Sequence, residues 1–216
     1  GWQIFCEKMQ YKFITIEGGE GVGKSTNIRC VENFLQAQGI SFIKTREPGG
    51  TPLAEELRAL LLSPREEKVC EQAELLLMFA ARAQHLQQVI LPALERGDWV
   101  VCDRFTDATY AYQGGGRKLS LETIAALETI VQGGLQPDLT LLLDVDVETG
   151  LARLGNREQI DRFEREQHTF FEAVRAMYHQ RAQQFPERFR IVDAGQPLEA
   201  VQENIIYCLQ QFLQSC

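Results

Sequence analysis

The run Gly18-Gly19-Glu20-Gly21-Val22-Gly23-Lys24-Ser25-Thr26 carries two glycines, a lysine and a hydroxyl in the spacing G-x-x-x-x-G-K-[ST]. That spacing can hold an anion. Closely set glycines let backbone N–H groups turn inward around phosphate oxygens, and a following helix adds the positive end of its dipole. Lys24 can then reach the outer phosphates of a nucleotide, and Ser25 offers an oxygen to Mg2+. Two acids close later apolar runs, Asp103 after "WVVC" and Asp144 after "LTLLL". Asp103 is the better candidate to orient a metal-bound water. Arg104 follows it at once and can hold a phosphate while the carboxylate steadies the guanidinium. Glu20 stands inside the cradle, where its charge is costly unless it meets a metal, an arginine or a substrate hydroxyl, or points to solvent.

The elements that must position these groups can be read from the apolar pattern. "KFITIE" at 12–17 is a short strand that stops at glycines, and 24–38 has helical spacing with a stop at Gly39. "ISFIKT" at 40–45 predicts a second strand, "EPGG" at 47–50 a turn, and 51–62 a helix. The stretch 66–94 is mostly helical, with a kink expected at Pro92. "WVVCD" at 99–103 is the third strand. A loop-rich stretch runs to Lys118, with "GGGR" at 114–117 as a flexible loop, before a helix at 121–132. Strands at 138–145 and 188–193 follow, and a last helix spans Glu199 to Leu213. Nearly continuous apolar strands separated by helices imply an α/β fold, a three-layer α/β/α sandwich around a five-stranded parallel sheet.

With 216 residues and 44% hydrophobic content, the chain suffices for one domain. That domain is expected from 12 to 216, after an N-terminal extension at 1–11, with Met9 as the natural start. A formal net charge of −8 disfavours a general nucleic-acid binder. Sixteen arginines stand against six lysines, which fits an enzyme of anionic substrates and fits plain solubility equally well. Six cysteines without a CxxC pair read as a reduced, intracellular set. With no 18-residue apolar span and no signal-peptide profile, the expectation is a cytoplasmic protein without membrane partners.

Several phosphate chemistries can be separated by what is missing. None of the asparagines at 27, 33, 156 and 204 sits in a guanine-reading NKxD motif, and no HRD segment of a protein kinase occurs. A P-loop ATPase motor remains formally open, as does a nucleotide-binding regulatory protein without transfer. A transferase acting on a small molecule needs two facing anion sites. Arginines 46, 82, 104, 117, 153, 157 and 162 could supply them.

Four further segments narrow the choice: "TREPGGT" at 45–51, "LMFAARAQH" at 77–85, "DRFTDATYAYQGGGR" at 103–117 and "DRFERE" at 161–166. With the cradle, they make the chain resemble the bacterial thymidylate kinases from Lys12 onward. The resemblance implies a P-loop kinase fold that moves the γ-phosphoryl of ATP to dTMP with Mg2+, commonly as a homodimer. The alternative acceptor is another pyrimidine nucleotide. It implies that Gly18 to Thr26 hold the donor phosphates, that Arg46 clamps the dTMP phosphate, and that Pro48 shapes the loop aiming it. Arg82 would donate to a thymine oxygen, Thr109 would meet the N3 edge, and Gln113 would touch the base or support its loop. Tyr112 would pack near the sugar 2′ carbon. The family phenylalanine that stacks on thymine is replaced here by Met78, with Phe79 beside it, one helical step of about 100° away.

A lid is expected over 153–167. Arg157 is the first choice for a catalytic arginine, with Arg153 and Arg162 in company and Glu164 a further acid for the metal waters. Lys24, Arg104, Arg157, Glu20 and Asp103 form the expected catalytic set. Ser25 and Asp103 form the expected metal set.

Overall fold

A computed structural model describes residues 12–155 and 162–216, and the side chains of 162–166 lie outside that description. Five strands form one parallel sheet: β1 (Phe13–Glu17), β2 (Phe42–Arg46), β3 (Trp99–Asp103), β4 (Leu139–Asp144) and β5 (Phe189–Asp193), in the order β2-β3-β1-β4-β5. The three-layer α/β fold expected from the apolar runs is therefore present. β1 is central and buried throughout, as a strand covered on both faces requires.

Period-2 alternation sorts its side chains. Ile14 and Ile16 face one layer, where they pack with Val31 and Leu35 of α1 (Lys24–Ala37) and Val201, Ile205 and Leu209 of α9 (Leu198–Gln214). Phe13 packs on the other face with Leu86, Ile90, Val100 and Phe105. Glu17 shares that second face and reaches α8 (Arg162–Gln184), where Tyr178 lies fully buried. In register, Ile16 and Arg46 both stand opposite Asp103, so three strand ends meet at the C-terminal edge of the sheet. Ligands of open α/β sheets bind at this edge.

Local sequence explains the helix ends. Thr51 caps α2 (Pro52–Leu62) by accepting from the Ala54 N–H at 3.0 Å, with Pro52 in the first turn where no N–H is needed. Asp146 caps α7 (Val147–Arg153) through the Thr149 N–H at 2.9 Å. The kink expected at Pro92 takes a definite form. α3 (Glu71–His85) widens into a π-helical turn over Leu86–Ile90, then closes again as α4 (Leu91–Glu95). Proline lacks an N–H and its ring crowds the preceding turn, and the wide turn accommodates both.

The stretch read as loop up to Lys118 is instead helical. α5 (Thr106–Thr109) continues as a π-helical segment over Tyr110–Gly116, followed by α6 (Leu121–Gln132). The glycines of "GGGR" serve close packing rather than mobility. A Cβ at Gly115 would sit 2.7 Å from the Ala173 carbonyl oxygen and 2.9 Å from Met177 Cβ, both on α8. Asp107 fastens the same corner. It accepts from Arg181 Nε at 2.9 Å and from Arg188 Nη1 at 2.7 Å, with all three residues buried. Gly115→Ala should lower stability by about 1–3 kcal/mol through overpacking. Gly134→Ala, with open space around its added Cβ, should stay within about 0.5 kcal/mol. Thermal melting of the two variants checks this, and equal effects would refute the packing account.

Candidate active site

The cradle closes over an open cavity of about 240 Å³, lined by the loop from Gly19 to Thr26 and by Arg104. Gly21 has φ 72, and a side chain there would run into the backbone of Gly150 on α7. Gly23 precedes α1 with φ 79. The loop thus rests backbone against backbone on α7, which L-residues with side chains could not do. Lys24 Nζ donates to Asp103 Oδ1 at 2.9 Å, half-buried, joining the cradle to the end of β3. Ser25 and Thr26 stay exposed on the first turn of α1, and Val22 is buried beneath the loop. Arg153, the last residue of α7, donates to the Gly21 carbonyl at 3.2 Å. Arg157 lies outside the described residues, as do the side chains of Arg162 and Glu164.

Arg104 leaves β3 with φ 64, a strained value for a residue with a Cβ. Its own N–H is held by the Ile16 carbonyl at 3.0 Å, and the Phe105 N–H donates to Glu17 Oε1 at 2.7 Å. Its guanidinium donates through Nη2 to the Tyr112 hydroxyl at 3.0 Å and to the Gly18 carbonyl at 3.3 Å, with Glu20 Oε1 at 3.4 Å. The Tyr112 hydroxyl donates in turn to Glu20 Oε1 at 3.1 Å. Glu20 therefore finds an arginine while staying partly open to solvent. Burial works against the Arg104 charge, but the oxygens of Tyr112 and Tyr178 and the carboxylates of Glu20 and Glu17 outweigh it and hold the guanidinium above its ordinary range.

The remaining strand-end acids divide. Asp144 accepts both arms of Arg175, at 2.9 and 3.0 Å, and meets His179 Nε2 at 3.0 Å, so it is committed to α8. Asp103 faces the cradle. Arg46 is exposed and pairs with Glu55 of α2, at 2.9 Å through Nη2. Pro48 beside it is anchored by Arg58 Nη1, which donates to its carbonyl at 2.8 Å.

Several of the residues expected to read a base link α3 to Phe105 and to the π-helical segment after α5. Gln113 Nε2 donates to Glu74 Oε1 at 3.0 Å, Phe79 packs with Tyr110, and the Arg82 guanidinium lies over the rings of Phe79 and Phe105, 4.9 and 5.3 Å from their centroids. Phe79 is buried and Met78 half-buried. Arg82 Nη1, Thr109 Oγ1 and Gln113 Oε1 are all buried and without a partner among the described residues. Buried polar atoms left unpaired are costly, so each of these three calls for a partner beyond the described residues.

Other residues of the site carry no role in the sequence reading. Glu47 is buried, with its Oε1 accepting from Arg82 Nε at 2.6 Å and its Oε2 at 2.7 Å from His85 Nδ1. His85 lies three residues after Arg82, a spacing that puts both on one helix face and was the available signal. Glu17 accepts from the Tyr178 hydroxyl at 2.7 Å and from Phe105 N–H; nothing local announces Tyr178 as its partner, 161 residues away.

Comparison with known proteins gives concordant results. A family model described as "Thymidylate kinase" matches residues 16–205. The chain is 62% identical over 205 residues to a protein of Teredinibacter turnerae named thymidylate kinase, covering 95% of this chain and 100% of that one. Its identity to the protein of the same name from Pseudomonas entomophila is 61% over 204 residues, covering 94% and 97%. Among solved structures, the thymidylate kinase of Ehrlichia chaffeensis matches with a TM-score of 0.75 at 31% identity, over 93% of this chain and 98% of that one.

Burial raises the Glu17 carboxyl to about 8, aided by the charge of Asp107, against the pull of the Tyr178 hydroxyl, the Phe105 N–H and Arg104. In the fold it keeps a proton that the unfolded chain has already lost. Its contribution to stability is therefore complete below about pH 4.5 and is lost as pH rises through about 8. The stability of wild type relative to Glu17→Gln should fall steadily from pH 5 to 8, measured by denaturant unfolding. A pH-independent difference between the two would contradict the shift.

Proposed function

Because the chain belongs to the thymidylate kinase family, we infer that it transfers the γ-phosphoryl group of ATP to dTMP, giving ADP and dTDP for dTTP synthesis. The observation that carries the acceptor assignment is the set of unpaired buried atoms on Arg82, Thr109 and Gln113. A thymine ring offers a carbonyl oxygen to the arginine and an N–H to an oxygen acceptor, which complements this set. Met78, half-buried above Arg82, packs against the base, while Phe79 acts by holding the guanidinium. Tyr112 fills the space a ribose 2′-hydroxyl would need, which favours deoxyribose.

The cradle from Gly18 to Thr26 holds the donor phosphates. Arg46 exchanges Glu55 for the acceptor phosphate, and Arg104 lies between the two phosphate sites. The acceptor oxygen is already anionic near neutral pH, so no strong general base is required. Charge neutralisation by Lys24, Arg104 and a lid arginine carries the transfer. Glu20 steadies Arg104 and the sugar side of the acceptor. The lid is assigned to 153–167, with Arg153 on the donor phosphates and Arg157 as the catalytic arginine; its closure excludes water. Oxygen donors suit a hard divalent cation. Ser25 and Asp103 would hold Mg2+, the latter through water, with Glu164 as a minor contributor. Bound with the nucleotide, the ion neutralises the donor phosphates.

No helix among the described residues is long and apolar enough to cross a membrane. A cytoplasmic setting without nucleic-acid partners is consistent with the acidic charge. Homodimer formation is supported by exposed Leu60, Leu62 and Leu76 on the mutually packed α2 and α3. Sedimentation at micromolar concentration should give twice the chain mass, and a monomer would remove this part of the reading.

A panel of nucleoside monophosphates supplied with ATP and Mg2+ tests the activity. ADP release should be fastest with dTMP, slower with dUMP, and weak with dCMP, UMP and purines. Lys24→Ala should lower kcat by about a hundredfold or more while the fold melts normally. ATP binding without ADP release on any monophosphate would leave a regulatory nucleotide-binding protein as the reading.

A further inference from the structure

Glu47 occupies a place that neither binding end of the acceptor explains by itself. It follows β2 directly, between Arg46 and Pro48, and its backbone N–H donates to the Asp103 carbonyl at 3.0 Å. Its side chain turns inward to α3. There one carboxylate oxygen takes Arg82 Nε at 2.6 Å and the other takes His85 Nδ1 at 2.7 Å. The Nε2 atom of His85 meets Thr45 Oγ1 at 2.6 Å, which returns the chain of contacts to β2. The side chains of Glu47, Arg82 and His85 are at most 3% exposed.

The chemistry of this set leaves little freedom. An ionised carboxylate can only accept, so the His85 proton must sit on Nδ1. The Arg82 guanidinium is stacked over Phe79 and Phe105 and has its Nε edge consumed by Glu47. Its Nη1 is buried and unpartnered among the described residues, which leaves it a donor available to a ligand. The outer side of the same loop is tied more loosely, by the exposed pair of Arg46 with Glu55. A ring added at Gly50 is not needed to see how tightly the loop sits on His85, because even a Cβ there would run into the imidazole.

We propose that Glu47, with His85 and Thr45 behind it, is the positioning residue that holds the base-reading Arg82 in register with the phosphate-holding Arg46. This rests on the dTMP kinase reading above. One buried carboxylate thereby sets the distance between the two ends of the acceptor nucleotide. It also sets the direction of the free Arg82 donor, and so the preference for a pyrimidine with an oxygen rather than an amino group at position 4. A donor held rigidly opposite an amino group leaves both unpaired, which is how a built site rejects the wrong base.

Glu47→Gln tests this with the full-length protein. The amide keeps the shape but turns an N–H2 towards one of the two donors. KM for dTMP should rise about tenfold or more, and the dTMP-to-dCMP ratio of kcat/KM should fall by a similar factor. KM for ATP should be unchanged. Calorimetric binding of dTMP alone should weaken in parallel, with Glu47→Asp restoring it in part. Unchanged dTMP binding and base preference would overturn the proposal, as would equal losses for ATP and dTMP, which mark a general structural effect. Should Glu47→Gln fail to fold, Thr45→Val carries the test from the far end of the chain. It should lower the same ratio by a smaller factor, and an unaltered ratio would overturn the proposal. Wild type that ignores dTMP altogether would instead remove the functional reading itself, a result distinct from any of these.

Discussion

Each strand of the sheet ends on or next to an acid: Glu17, Glu47, Asp103, Asp144 and Asp193. A carboxylate at the edge of a sheet covered on both faces loses its water and must find donors within the protein. That requirement assembles much of the site. Glu17 draws in the Phe105 N–H and Tyr178, and in doing so fixes the turn that carries Arg104. Glu47 draws in Arg82 and His85, and Asp103 takes Lys24. Asp144 takes Arg175 and His179 and anchors α8. Only Asp193, at the exposed sheet margin, settles for its own turn, accepting from the Gly195 N–H at 2.9 Å.

The arginines fall into two kinds by burial. Arg82 with Glu47, and Arg181 and Arg188 with Asp107, are pairs whose side chains are at most 9% exposed. Breaking such a pair leaves a stranded charge, which is strongly destabilising. The Arg46–Glu55 pair is 52% and 40% exposed, and a pair so wet contributes little, about 0–1 kcal/mol. A phosphate can displace Glu55 at small cost. Composition could not tell an arginine-rich enzyme of anions from a merely soluble surface. Burial shows that the surplus of arginine over lysine also includes internal cross-links, for which the planar fork suits paired carboxylate oxygens.

Most elements were legible in the sequence because their signals are local. Apolar runs gave five strands close to their observed limits, and the helices read at 51–62 and 121–132 stand within a residue of where the structure places them. The segment after Phe105 was not legible. Threonine, tyrosine and three glycines read as loop formers, whereas α8 packs against them and demands small residues there. The grouping of Arg82, Thr109 and Gln113 followed from motif resemblance. The structure adds that each has a buried atom without a partner, a fact no residue type announces.

The sequence by itself determined the phosphate cradle, the parallel α/β plan and the acids that end the strands. Each of these depends on neighbours within a few residues: glycine spacing, a continuous apolar run, a polar residue where the run stops. Only the tertiary structure decided which donor answers which acid. The Tyr178 hydroxyl reaches Glu17 across 161 residues and the Lys24 ammonium reaches Asp103 across 79. Those pairings depend on strand register and on how α3 and α8 pack at the sheet edge. The cost of leaving a buried charge unpaired then selects one arrangement from the many that composition allows.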